Sequence, residues 1–188
     1  MISLDPTSID EVLDGILTVG RATGTEARAE ELVAGMRDRI DRVRRAAVRL
    51  PTIRTLCLEW GDPPFVGGHW VPGMVEVAGG TNLLSEPGKP SRRITWPEVA
   101  EAMPEVILFM PCGYYLEDAE TEAERLFELP YFADTPAARS DTVFAVDASS
   151  FFSRPGPRIV DGLEILAWAI HPEAFPEPRS DRIARVRA

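Results

Sequence analysis

The chain has 188 residues, 45% hydrophobic and 27% charged, enough to bury one real core, and it shows no internal repeat of the kind that builds a solenoid. Its net charge of -10 disfavours nucleic acid as a partner, because neutralising phosphates requires surplus Lys and Arg. No apolar run approaches the roughly eighteen residues of a membrane span, no signal core follows Met1, and two cysteines are too few for a disulfide framework, so the chain as written is expected to be cytoplasmic, not membrane-inserted, with Cys57 and Cys112 as buried thiols.

Asp5-Pro6-Thr7-Ser8 is a helix-start signal, and Ile9, Val12, Leu13, Ile16 and Leu17 follow at helical spacing, which predicts a helix near 8–22 stopped by Gly24. Thr25 then begins a long helix, about 25–49, with Leu32, Met36, Ile40, Val43 and Ala47 on one face and charges on the other, ending before Pro51. After Pro51 the period changes. Ile53 to Leu58 reads as a strand, Trp70 to Ala78 and Trp96 to Ala102 as short helices, and Val106 to Met110 as a fully buried strand. Gly79-Gly80-Thr81-Asn82 reads as a helix stop and turn. A helix near 117–128 carries Glu117, Asp118, Glu120, Glu122, Glu124 and Glu128, in the part of the chain (residues 51–138) where 14 acids face 5 bases. These acids read as a solvated face whose first-turn members favour the helix dipole, or as a docking face for a basic partner. Strand Val143 to Val146 and a last helix carrying Ile159, Leu163, Leu166 and Ile170 complete the pattern near His171-Pro172.

Strands alternating with helices predict an α/β fold, a mostly parallel sheet flanked by helices and preceded by the long helix. In such sheets the loops at the carboxyl ends of the strands face the ligand crevice. Those loops are Glu59 to Trp70, Pro111 to Tyr115, and Asp147 to Arg158. The first is the richest, with acidic, aromatic and imidazole groups on a segment stiffened by prolines and opened by glycines. Trp60, Phe65 and Trp70, with Tyr114, Tyr115, Phe151 and Phe152 from the other loops, form a set suited to a large, flat, partly apolar ligand; the competing reading is packing beneath the loops. Of Phe151 and Phe152, one is expected to point into the core, since neighbours in extended chain face opposite ways. Arg154 and Arg158 are candidates for a ligand carboxylate, phosphate or amide oxygen. Arg158 falls in the first turn of a helix, where a cation opposes the dipole, so a compensating contact is expected there.

His69 is a hydrogen-bonding loop residue or an axial ligand for cobalt or iron. Glu59 accepts hydrogen bonds from a ligand or fixes its loop. Glu59, His69 and Cys112 together make an alternative, a metal site of a small metal-dependent α/β hydrolase, although no spacing signature supports it. There is no serine nucleophile elbow or phosphate-binding glycine motif.

The ordered segments Ser3-Leu4-Asp5-Pro6, Glu59-Trp60, Pro63-Pro64-Phe65, Gly68-His69-Trp70-Val71-Pro72, Val77 to Leu83, Trp96, Met110 to Tyr114 and Phe152 to Arg158 resemble the carboxy-terminal part of the helical-backbone substrate-binding proteins of ABC transporters, nearest the cobalamin binders related to siderophore and heme binders. The resemblance spans about residues 3–172. It implies a non-enzymatic protein that holds a small molecule, a corrinoid such as cobalamin or else a siderophore or heme, between two α/β lobes joined by a long helix, and that docks on permease subunits. No resident cofactor or metal is implied. On that pattern residues 1–50 are the remnant of a first lobe with the interlobe helix, 51–172 the ligand-binding lobe and 173–188 a tail. A signal and lobe encoded upstream would make the protein extracytoplasmic or place it at the cell surface. Otherwise a truncated lobe without independent activity is the alternative, with self-association through the exposed apolar faces near residues 3–20.

Overall fold

The computed structural model describes residues 2–187. Helix α1 (Ile9–Thr23) begins where the Ser8 hydroxyl accepts the Glu11 N–H, with the Glu11 carboxylate returning to accept from Thr7, and it ends on Gly24 in the left-handed region. Helix α2 (Glu26–Ala47) buries Ala29, Val33, Met36, Ile40, Val43 and Ala47, a stripe at alternating spacings of four and three. The two helices cross where Gly20 meets Ala29. A Cβ on Gly20 would lie 2.4 Å from that of Ala29.

The chain then enters the sheet. Strand β1 (Ile53–Gly61) turns into β2 (Pro64–Val66), α3 (Val71–Val77) leads to β3 (Gly80–Asn82), and β4 (Arg92–Arg93) precedes α4 (Trp96–Ala102), which opens on a capping box between Thr95 and Glu98. Strand β5 (Val106–Phe109) is followed by α5 (Leu116–Leu126) and the short helices α6 (Pro130–Ala133) and α7 (Pro136–Arg139). Strand β6 (Val143–Val146), α8 (Ala148–Phe151), α9 (Ile159–Ile170) and β7 (Ile183–Val186) complete the order.

The centre of the sheet is parallel, with β1 pairing β3 and β5, and β5 pairing β6, while β2, β4 and β7 add antiparallel pairs at its margins. Side-chain alternation divides the core. Leu56, Leu58, Ile107 and Phe109 face α4 to α7, whereas Cys57, Leu108 and Met110 face α2, α3 and α9. On the latter side Arg39 of α2 reaches Glu164 of α9 with two hydrogen bonds, 2.7 and 2.9 Å, and Asp161 with a third at 2.8 Å. Arg182 adds a 3.4 Å contact to Asp161. These carboxylates, Glu164 foremost, hold the Arg39 pKa above its usual range.

Several segments differ from their sequence reading, first the loop expected over Glu59 to Trp70, where β1 runs on to Gly61 and β2 pairs back on it as a hairpin. Gly80–Asn82, expected as a turn, is a strand. It lacks apolar alternation because Gly80 lies so close to Val75 and Thr55 that a Cβ would sit 2.7 and 2.8 Å from their side chains. The segment after residue 172, read as a tail, supplies β7, an edge strand beside β6 in which Arg185, with Arg182 and Arg187 flanking, masks the strand pattern and blunts the edge. Arg182 and Arg185 lie 4.9 Å above the rings of Phe151 and Phe144 respectively.

His171 ends α9, buried against Gly79 and Ala47, and its Nε2 has no hydrogen-bond partner. Burial, partly offset by the Gly79 backbone, holds its pKa below the ordinary 6.5. The unfolded chain thus takes up this proton more readily than the folded one, so stability is full above pH about 6.5 and declines as pH falls from there toward the lower folded value. Unfolding midpoints of wild type and His171→Gln measured from pH 8 to 5 are expected to converge or cross as pH falls; parallel curves would overturn this. Gly20→Ala is expected to lose about 1–3 kcal/mol by overpacking. Gly35→Ala, on an open face of α2 with nothing within 4 Å of the added carbon, should gain up to about 1 kcal/mol, both glycine variants being compared with wild type by urea titration.

Candidate ligand-binding site

Parallel strands deliver their carboxyl ends to one edge, and a cavity of about 290 Å³ lies there. Glu59, His69 and Trp70 form one side of it, Cys112, Phe152 and Ser153 another, and Leu4, Asp5 and Pro6 close over them. Glu59 is on the same face of β1 as Cys57, and its Oε1 accepts from the Cys112 thiol at 3.3 Å. Cys112, expected to be buried, is exposed because it follows β5 beyond the ladder. Partial desolvation, aided by the Glu59 carboxylate and opposed by a Ser153 hydrogen bond, raises its pKa, which keeps the thiol protonated and weakly reactive. Cys57 is buried as expected, and burial pushes its thiol pKa up further.

His69 adopts a left-handed φ of 54°, rare for a residue other than glycine. Its N–H donates to the Lys89 carbonyl at 2.6 Å, and its carbonyl accepts from Gly88 at 3.0 Å. The preceding Gly68 passes so close to the same loop that a Cβ would sit 2.2 Å from the Ser91 nitrogen, a contact only glycine allows. The imidazole is half-buried, 5.9 Å from the Trp70 ring. Trp70 Nε1–H donates to the Phe152 carbonyl at 3.0 Å, tying the segments after β1 and β6 together across the cavity.

The expected aromatic set divides between the two faces of the sheet. Trp60 follows Glu59 and turns the opposite way, where it meets Tyr114 edge to face at 5.4 Å and pairs across the hairpin with half-buried Phe65. Tyr115, 61% exposed, begins α5. Phe151 and Phe152 are both buried, not one in and one out, because they lie at the end of a short helix where strand alternation does not apply. Phe152 lines the cavity, and Phe151 lies under Arg182. Arg154 and Arg158 are exposed, and no ion pair of the described residues includes them, so the compensating contact expected at Arg158 is not made by a carboxylate.

Glu59, His69, Trp70 and Phe152 are therefore brought together, while Trp60, Phe65 and Tyr114 make a separate aromatic patch and Tyr115 stands apart in solvent. Leu4, Asp5 and Pro6 were not expected in the site, since nothing local in a helix-start signal tells that it lies across the strand ends. Glu59, His69 and Cys112 do line one cavity, yet among the described residues no three His, Cys, Asp or Glu side chains are grouped to hold a metal ion. A larger hollow of about 590 Å³ lies along Leu84–Arg92, but it borders a single loop whose Arg92 is already committed to the Leu84 carbonyl and Glu98.

Residues 2–149 match the periplasmic binding protein family. A cobalamin-binding protein of Halobacterium salinarum is 28% identical over 173 residues, 88% of this chain, and the chain spans only 45% of that relative. A periplasmic heme-binding protein from Roseiflexus sp. RS-1, in its apo form, superposes with a TM-score of 0.75 at 29% identity, covering 90% of this chain and 65% of its own. An ABC transporter substrate-binding protein from Listeria monocytogenes EGD-e gives 0.81 at 18% identity, over 92% and 68% of the two chains, which is a likeness of fold. Among the described residues no helix is long and apolar enough to cross a membrane.

The Trp70 tie can be separated from the aromatic patch by thermal unfolding. Trp70→Phe leaves the Phe152 carbonyl without its donor and is expected to cost about 1–3 kcal/mol. Trp60→Phe, at a site 36% exposed, is expected to stay within about 0.5 kcal/mol. Equal losses would overturn the assignment.

Proposed function

The chain belongs to the periplasmic binding protein family, and on that premise we propose that it is the ligand-binding lobe of an ABC importer's substrate-binding component, with cobalamin or a related corrinoid as its ligand. The observation that carries the reading is the cavity at the strand ends, walled by Trp70, Phe152 and His69, in a chain whose 28% identical relative is a cobalamin-binding protein. Heme and siderophores are the next ligand classes, heme being supported by the 29% identical heme-binding relative. Drug-sized ligands occupy roughly 300–1,000 Å³. A cavity of about 290 Å³ therefore touches part of a corrinoid without enclosing it, and acts as one wall of a binding surface.

Two further surfaces fit this role. Helix α5 buries Ala119, Ala123 and Leu126 and turns Glu117, Asp118 and Glu124 to solvent, an acidic face suited to basic residues of a permease. Ile2, Leu4 and Val19, between 45% and 55% exposed, form an apolar surface through which copies would self-associate at high concentration. An extracytoplasmic location goes with the family.

Titration with cyanocobalamin, followed by tryptophan fluorescence corrected for ligand absorbance, is expected to give a saturable change, weaker than a fully enclosed site would give, because only part of the ligand is desolvated. No saturation up to roughly 1 mM, the limit of weak specific binding, would sink the corrinoid reading. Saturation by hemin but not by cobalamin would move the ligand to the heme class.

A further inference from the structure

Most polar groups that line the cavity are already engaged. Trp70 Nε1–H donates to the Phe152 carbonyl, Cys112 donates to Glu59, and partial desolvation together with that carboxylate disfavours a thiolate. Glu59 Oε1 is occupied as the acceptor of that bond. The imidazole of His69 takes part in none of the side-chain hydrogen bonds or ion pairs of the described residues, although its backbone is fixed on both sides by the Lys89 and Gly88 contacts. The chain has two histidines, and the other, His171, is buried at the far end of α9 against Gly79. His69 is thus a nitrogen base whose imidazole lines the site without a side-chain partner among the described residues. It is held in a left-handed conformation that a non-glycine residue adopts at a cost of about 1–3 kcal/mol. A glycine at position 69 would relieve that cost, and the strain is accounted for if the imidazole itself has a use.

We infer that His69 is an axial ligand for the metal of a planar metal–tetrapyrrole cargo, an imidazole–cobalt contact in a corrinoid or an imidazole–iron contact in a heme. The inference rests on the ligand reading above and adds to it the atom that grips the metal. Either ring nitrogen can supply the lone pair. In the ligation step a nitrogen–metal bond forms, the bond from the metal to a coordinated water breaks, and the water leaves to solvent. No electron is transferred and no proton need move when the imidazole is neutral. Trp70, 5.9 Å from the imidazole, and Phe152 would then lie against the macrocycle and its edge, where aromatic area adds burial without further polar demands. One ligand from the protein suffices for this geometry, so it requires no grouped metal site.

The test uses aquocobinamide, a corrinoid that carries exchangeable water and lacks a tethered base of its own, with the whole chain as the titrated protein. Absorbance reads ligation and tryptophan fluorescence reads binding. Wild type is expected to saturate in both and to move the corrin bands as free imidazole does. His69→Asn keeps a residue that tolerates the left-handed backbone. It is expected to saturate in fluorescence with a weaker affinity, to leave the bands unshifted, and to recover the shift when free imidazole is added. His69→Gly, which relieves the backbone, should behave as His69→Asn does. Saturable fluorescence with no band shift in wild type, or an equal shift in both variants, would overturn axial ligation while leaving the corrinoid reading intact. No saturation by either readout would overturn both.

Discussion

The register of β1 on β5, from Thr55 opposite Val106 to Leu58 opposite Phe109, is the constraint on which the rest of the structure depends. It makes both strands end at one edge, and β6 is set by the same parallel pairing against β5. The pleat then decides which side chains can meet. Glu59 and Trp60 are neighbours in sequence, yet one enters the cavity beside Cys112 while the other joins Tyr114 across the sheet. A shift of one residue in this register would exchange them and place a carboxylate against the apolar side.

Three further ties convert that sheet edge into a wall. The indole of Trp70 reaches the carbonyl of Phe152, joining the segment after β1 to the segment after β6. The loop at Lys89 and Gly88 fixes His69 from both its N–H and its carbonyl. Behind them, Arg39 links α2 to α9, and Arg182 carries the end of the chain onto Asp161 and Phe151. Each tie joins residues distant in sequence, and the contacts of Arg39 and Arg182 are only partly exposed, where charge-assisted hydrogen bonds are worth more than they are at a free surface.

The long periodic elements were legible in the sequence, because helix and strand periods are local properties. The stripe from Ala29 to Ala47, the start of α1 at Ser8 and the buried run Val106–Phe109 all fall where periodicity and capping chemistry put them. What stayed hidden depends on partners. β3 has a glycine where a strand usually carries a side chain, and β7 is only four residues, Ile183–Val186, interrupted by Arg185 and flanked by Arg182 and Arg187, so each is a strand only by virtue of the neighbour it pairs with. The site shows the same division. Loop position identified Glu59, His69, Trp70 and Phe152 as residues near the strand ends, but no local pattern separates them from Trp60 and Tyr114, whose different face is set by register. The part played by Leu4 to Pro6 is likewise a matter of tertiary placement.

The balance of preorganisation and area bears on what such a wall can do. Binding loses free energy to the ordering of loops and side chains, and here much of that ordering is already in place, in the fixed backbone of His69 and the committed indole of Trp70. The area offered is nevertheless that of a shallow cavity of about 290 Å³, so apolar contact alone gives little selectivity between one flat ligand and another. Discrimination must then come from directional groups. Trp70 and Cys112 have their hydrogen bonds within the wall and contribute mainly surface, whereas the imidazole of His69 is positioned but unused. On the proposed function, a rigid wall that offers the His69 imidazole and the Asp5 carboxylate, unpartnered among the described residues, would distinguish ligands by what they present to those groups more sharply than by their size, since an unmatched polar contact in a partly desolvated site costs more than a missing methylene.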